Sequence, residues 1–82
     1  MALQTKKFFS TELLPAEYGD KTKDDISNFN DRIRKGYRFS EGEEVVHIHN
    51  HKQVMVVEQI LRKLGKQEKV RLDGIVCHWW ES

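Results

Sequence analysis

Three histidines, His47, His49 and His51, recur at every second position at the end of the segment Glu43-Glu44-Val45-Val46-His47-Ile48-His49, whose alternation reads as a β-strand. In an extended chain that spacing projects the imidazoles to one side, where ligands of a divalent transition metal would have to converge. No acidic residue lies within the triplet to complete a hydrolytic site. The expectation is a polar, half-exposed strand face that binds zinc or nickel weakly, with His47, His49 and His51 as the ligands if any metal is held at all.

A second constellation, Arg32, Arg34, Lys35, Tyr37, Arg38 and Phe39, interleaves cations with aromatic rings, a composition suited to phosphate contacts and base stacking. Other demands compete for the same residues: Arg34 and Lys35 complement a helix C-terminus, and Tyr37 and Phe39 can pack in a core. Asp24, Asp25 and Asp31 dilute the field of the same helix, so salt-sensitive binding to DNA or RNA is not expected. Cys77 and His78 adjoin, but neighbours in a strand point to opposite faces and cannot act as nucleophile and base. A pairing of Cys77 with His47 or His49 across the sheet is conceivable, against the simpler reading of a buried thiol. Trp79 and Trp80 divide in the same way, so one ring enters the core and the other needs a second cover. A helix of the same chain is the expected cover, with a second subunit or a target protein as the other candidates.

The chain has no glycine-rich strand-to-helix turn, no Cys-x-x-Cys pair and no Gly-x-Ser-x-Gly elbow, so the usual phosphate-cradling, zinc-ribbon and esterase devices are missing. Lys and Arg number 14 against 13 Asp and Glu, which removes the uniform positive field used in sequence-independent nucleic-acid or anionic-membrane binding. The single cysteine, with no glycosylation sequon and no apolar leader, points to a cytoplasmic protein, and no apolar run is long enough to span a membrane.

These residues must be positioned by one small core, because 82 residues with 38% apolar content suffice for a single domain covering 1–82. Residues 4–10 read as a short strand carrying Phe8 and Phe9. Residues 11–21, with Pro15 and Gly19, read as a connection that Leu13 and Leu14 tack onto the core. A helix over 23–35 starts at the Thr22 cap with Asp25 three residues on, carries Ile26, Phe29 and Ile33 on its inner face, and ends at Gly36. Residues 44–49 form a strand. Residues 54–64 fit a helix capped at Asn50 and stopped at Gly65, but the β-branched run Val54 to Val57 favours a strand paired with 44–49. The last element, 69–80, alternates Val70, Leu72, Gly74 and Val76 on one face and reads as the central strand.

The fold class expected is therefore α+β, one amphipathic helix on an antiparallel sheet of three to four strands, with a second helix at 52–64 as the alternative. The function expected is stoichiometric binding without catalysis and without a cofactor: a regulator or inhibitor of a partner protein, contacting it through the Trp79/Trp80 end, with self-association into a homodimer as a variant. Small domains of this kind are often encoded by phages and other mobile elements, which is an association and not a deduction from residues. The alternatives are a nucleotide or nucleic-acid binder using Arg32, Arg34, Tyr37 and Arg38 with His47 and His49, and a metal-dependent enzyme built on the histidines.

Overall fold

The computed structural model describes residues 1–65 and 70–81. One helical segment packs against a five-stranded antiparallel sheet made of β1 (Ala2–Phe8), β2 (Leu13–Pro15), β3 (Glu44–His47), β4 (Asn50–Leu64) and β5 (Val70–Glu81), in the order β1-β5-β4-β3-β2. The fold is thus α+β with one helix, as the sequence implies, and the sheet has one strand more than expected. The extra strand is β2, three residues inside the stretch read as a connection, where Leu13, Leu14 and Pro15 pair with His47, Val46 and Val45. The expected start of the last strand at Lys69 lies outside the described residues.

The ambiguous segment 54–64 is strand throughout, and Asn50 opens β4 instead of capping a helix. β-branched side chains at Val54, Val56 and Val57 lose rotamer freedom in a helix and fit a pleated surface, which decides between the two periods. β5 is flanked on both sides, by β1 and β4, but the middle of the sheet is β4.

The helical segment covers 23–36 in three parts: α1 (Lys23–Asn28), a π-helical turn (Phe29–Ile33) and a 3-10 turn (Arg34–Gly36). Its start follows the Thr22 signal, since Thr22 Oγ1 accepts the Asp25 amide proton at 3.2 Å. The inner face departs from expectation. Phe29 is buried and Ile26 half-buried, but Ile33 is 39% exposed. The cause is the π turn, in which the Arg34 amide donates to the Phe29 carbonyl and the wider turn swings Ile33 outward. Gly36 ends the segment without the left-handed conformation common at that place, the Tyr37 amide closing it on the Arg34 carbonyl at 3.2 Å. The positive-φ glycine of the described chain is Gly42, at +87°, in the turn before β3.

The sheet curls. β1 and β3 are three strand spacings apart, about 14 Å if flat, yet the rings of Phe8 and His47 lie 5.6 Å apart. The curl follows from connectivity, because edge strands β1 and β2 are joined by only a tight turn in which the Phe9 amide donates to Glu12 Oε2 at 2.7 Å. Phe8, Leu13, Val45, Met55, Val57, Ile75 and Cys77 fill the inner, concave face, closed from above by Phe39 and half-buried Tyr37. On the outer face Leu14 and Val46 pack beneath Phe29, Ile26 and Tyr18. The helix covers only this β2–β3 end. No helix of the described residues is long and apolar enough to cross a membrane.

Candidate functional site

Between the C-terminal end of the helical segment and the β4–β5 hairpin lies a cleft of about 520 Å³. Its cations come from two places. Arg34, Lys35 and Arg38 are delivered by the helix end and the segment after it, and Arg62 by β4, far away in sequence. Ser10 and Thr11 of the β1–β2 turn form the opposite lip, and Ile60, Leu72 and Ile75 form an apolar floor. Among the described residues no Asp, Glu, His or Cys lines it. In a chain of net charge +1, four cations facing one cavity without a carboxylate is a local concentration of charge that the overall balance conceals.

Two sequence irregularities build this wall. The π turn rotates Arg34 into the place that regular helical spacing would give to Ile33. Its guanidinium lies 5.0 Å from the Phe29 ring centre, donates from Nε and Nη2 to Asn30 Oδ1 at 3.1 and 2.8 Å, and donates from Nη1 to the Ser10 carbonyl. Burial lowers its pKa from the usual arginine value, with charge retained at neutral pH. On the hairpin, the β4–β5 register shifts between Leu61 and Arg62, so that Leu61 faces Gly74 and Arg62 faces Leu72. The extra residue lies on β5, so this bulge turns Leu72 to the concave side, which corrects the expected alternation of Leu72 with Gly74 and Val76 on one face. An earlier shift between Val57 and Gln59, with its extra residue on β4, brings Ile60 and Arg62 to that side.

Tyr37 and Phe39 are packing residues here more than open platforms. The rings of Tyr18, Phe29, Tyr37 and Phe39 form a continuous series with centroid separations of 4.8, 5.5 and 5.0 Å. Tyr37 Oη donates to Glu43 Oε2, and burial first, then that carboxylate, raises the phenol well above its ordinary pKa. Arg32 is exposed and does not line the cleft.

The three histidines do not converge on one point, although the rings of His47 and His49 lie 5.5 Å apart. β3 ends at His47, which pairs with Glu12 at 3.8 Å and packs on Phe8. His49 lies in the turn, its amide donating to His47 Nδ1 at 3.0 Å, while His51 Nε2 stands 3.0 Å from the Ile48 carbonyl. Because the strand breaks at His47, the alternation that would align all three imidazoles is lost, and among the described residues no three His, Cys, Asp or Glu side chains gather to hold a metal ion. Cys77 is buried in the concave core, where burial pushes its thiol up to about 11.

The tryptophans separate as neighbours in a strand must. Trp79 turns inward, 6.2 Å from the Phe8 ring, and lines a smaller cavity of about 340 Å³ with Lys6, His47 and Met55. Trp80 faces out and is 61% exposed beside its cross-strand partner Leu3, at 51%. Val54, 43% exposed, lies on the same outer face, paired with Val46 of β3. Among the described residues the expected cover by a helix of the same chain is therefore absent at Trp80, since the helical segment lies over β2 and β3.

Arg62 and Leu72 were not identifiable from local sequence, because only the bulged hairpin register brings them to Arg38. Compared with known protein families, curated proteins and solved structures, the chain matches none.

Proposed function

We propose that this chain is a non-enzymatic binding protein whose principal site is the basic cleft, and that its ligand is a small anion. The observation that carries this reading is the convergence of Arg34, Lys35, Arg38 and Arg62 on one cavity with an apolar floor and, among the described residues, no carboxylate. Like charges gathered in this way repel one another, and a bound anion relieves that repulsion. Binding is favoured over catalysis because the cleft presents no histidine, carboxylate or cysteine to move a proton, and its phenol is held protonated by burial and by Glu43.

The test is calorimetric titration with inorganic pyrophosphate at low and physiological salt. One-to-one binding that weakens with salt and disappears in the Arg38→Gln/Arg62→Gln double variant is expected. Failure of pyrophosphate and of every other small anion tried to bind overturns the reading.

A second reading, stoichiometric regulation of a partner protein, is favoured by an apolar strip formed by the exposed cross-strand neighbours Leu3 and Trp80, with Val54 on the same sheet face, which the helical segment does not cover. A cytoplasmic partner recovered one-to-one by the wild type, lost with Trp80→Lys and kept by the cleft double variant, would place the main function there. Light scattering that shows a dimer abolished by Trp80→Lys would instead assign the strip to a second copy of the chain.

A further inference from the structure

We infer, resting on the anion-binding reading of the cleft, that its ligand is a single nucleotide carrying at least two phosphates, held by Lys35, Arg38 and Arg62 with its ring against Ile60 and Leu72. The four cations are not equivalent. Arg34 already donates to Asn30 and to the Ser10 carbonyl and lies against Phe29, so it is a positioning residue that fixes the Ser10–Thr11 lip to the helix end. Lys35, Arg38 and Arg62 are exposed and make no ion pair among the described residues. A single phosphate monoester carries about −1.5 to −2 charges at neutral pH, so three available cations match more than one phosphate.

An inorganic anion would leave the floor unused. Leu72 is 50% exposed and Ile60 half-buried, side by side on the concave face, and apolar surface beside a cluster of cations suits a ligand that is charged at one end and flat and apolar at the other. The volume of about 520 Å³ lies in the range that encloses one small molecule. A single-stranded polymer needs a groove that tracks its backbone and rings with open faces for successive bases. The two rings at this cleft are engaged edge to face with each other, and Phe39 is buried. The charge facing the cleft is supplied by side chains, so affinity must depend steeply on Arg38 and Arg62.

The experiment is titration of the full chain with inorganic pyrophosphate, with nucleosides, with the four common nucleoside diphosphates and with a single-stranded oligonucleotide. At least one nucleoside diphosphate should bind tenfold or more tightly than pyrophosphate and than its own nucleoside. Leu72→Ser should bring that nucleotide close to the pyrophosphate affinity while leaving pyrophosphate unchanged, and Arg62→Gln should weaken both. Equal affinities for pyrophosphate and every nucleotide would overturn the inference and leave the anion-binding reading standing. Preference for the oligonucleotide would overturn it in favour of a polymer. No binding of any anion by protein whose melting curve is intact would remove both the inference and the reading it rests on.

Discussion

At the β2–β3 end of the sheet, consecutive residues are buried on opposite faces: Leu13 and Val45 enter the concave core while Leu14 and Val46 lie under Phe29. At the β1–β5 end the same alternation yields one buried and one open side, Cys77 and Trp79 facing inward and His78 and Trp80 outward. The difference is not a lack of apolar residues at Leu3 and Trp80, although β1 is polar from Gln4 to Lys7 where β2 carries Leu13 and Leu14. It comes from a helical segment that spans only one end, so that among the described residues nothing covers Trp80.

If that account is right, removing the cover's main anchor should cost far more than removing the exposed ring. Phe29→Ala should destabilise by about 3 to 5 kcal/mol, a large part of a small domain's total stability. Trp80→Ala should stay within about 0.5 kcal/mol despite deleting a larger side chain. Denaturant melts of the two variants decide it, and comparable losses would mean that the outer face near Trp80 is covered after all.

The next largest effect contrasts Cys77 with its outward neighbours through pH. Because burial raises the Cys77 thiol to about 11, the folded state holds its proton more tightly than the unfolded chain does. Stability from this group is complete below about pH 9 and falls as pH rises through about 11, by roughly 2 to 3 kcal/mol at full ionisation. Tyr37 is raised too and pulls in the same direction at alkaline pH. The measurement is therefore the difference between wild type and Cys77→Ala across pH 8 to 11, in which the Tyr37 contribution cancels. A constant difference would show that the concave face is wetter than its packing implies.

The two ends were unequally legible in the sequence. Thr22 announces the helix through local chemistry that needs no tertiary information, and the β-branched run Val54 to Val57 identifies β4 in the same way. The exposure of Ile33 was hidden because a π turn is set by the packing of Phe29 and Arg34, not by apolar spacing. β2 was hidden because three residues ending in proline carry no period, and acquire their strand character only by pairing with β3. At the cleft, Arg34, Tyr37 and Arg38 could be singled out from their interleaving, but Arg62 depends on a bulge whose position no local pattern records. The histidine triplet erred in the opposite direction, since a regular period of two was assumed to continue through a turn.

The smallest predicted effect separates charges gathered for binding from charges gathered for stability. On β1, Lys7 stands 3.8 Å from Asp73, an exposed pair whose loss costs little and whose weak contribution has the ordinary stabilising sign. In the cleft, Arg62 shares a cavity with Arg34, Lys35 and Arg38 and, among the described residues, with no carboxylate, so its charge is expected to oppose folding. Arg62→Gln keeps most of the side chain's length and removes the charge, and should therefore raise stability by a few tenths of a kcal/mol at low ionic strength. Lys7→Gln should lower it by a similar amount. Both differences should fade towards 1 M salt, where the screening length shrinks to about 3 Å. Thermal melts of the two variants at 10 mM and 1 M salt give the signs directly. A loss of stability in Arg62→Gln at low salt would mean that this arginine is engaged in structural contacts, and would remove it from the set of cations available to a ligand.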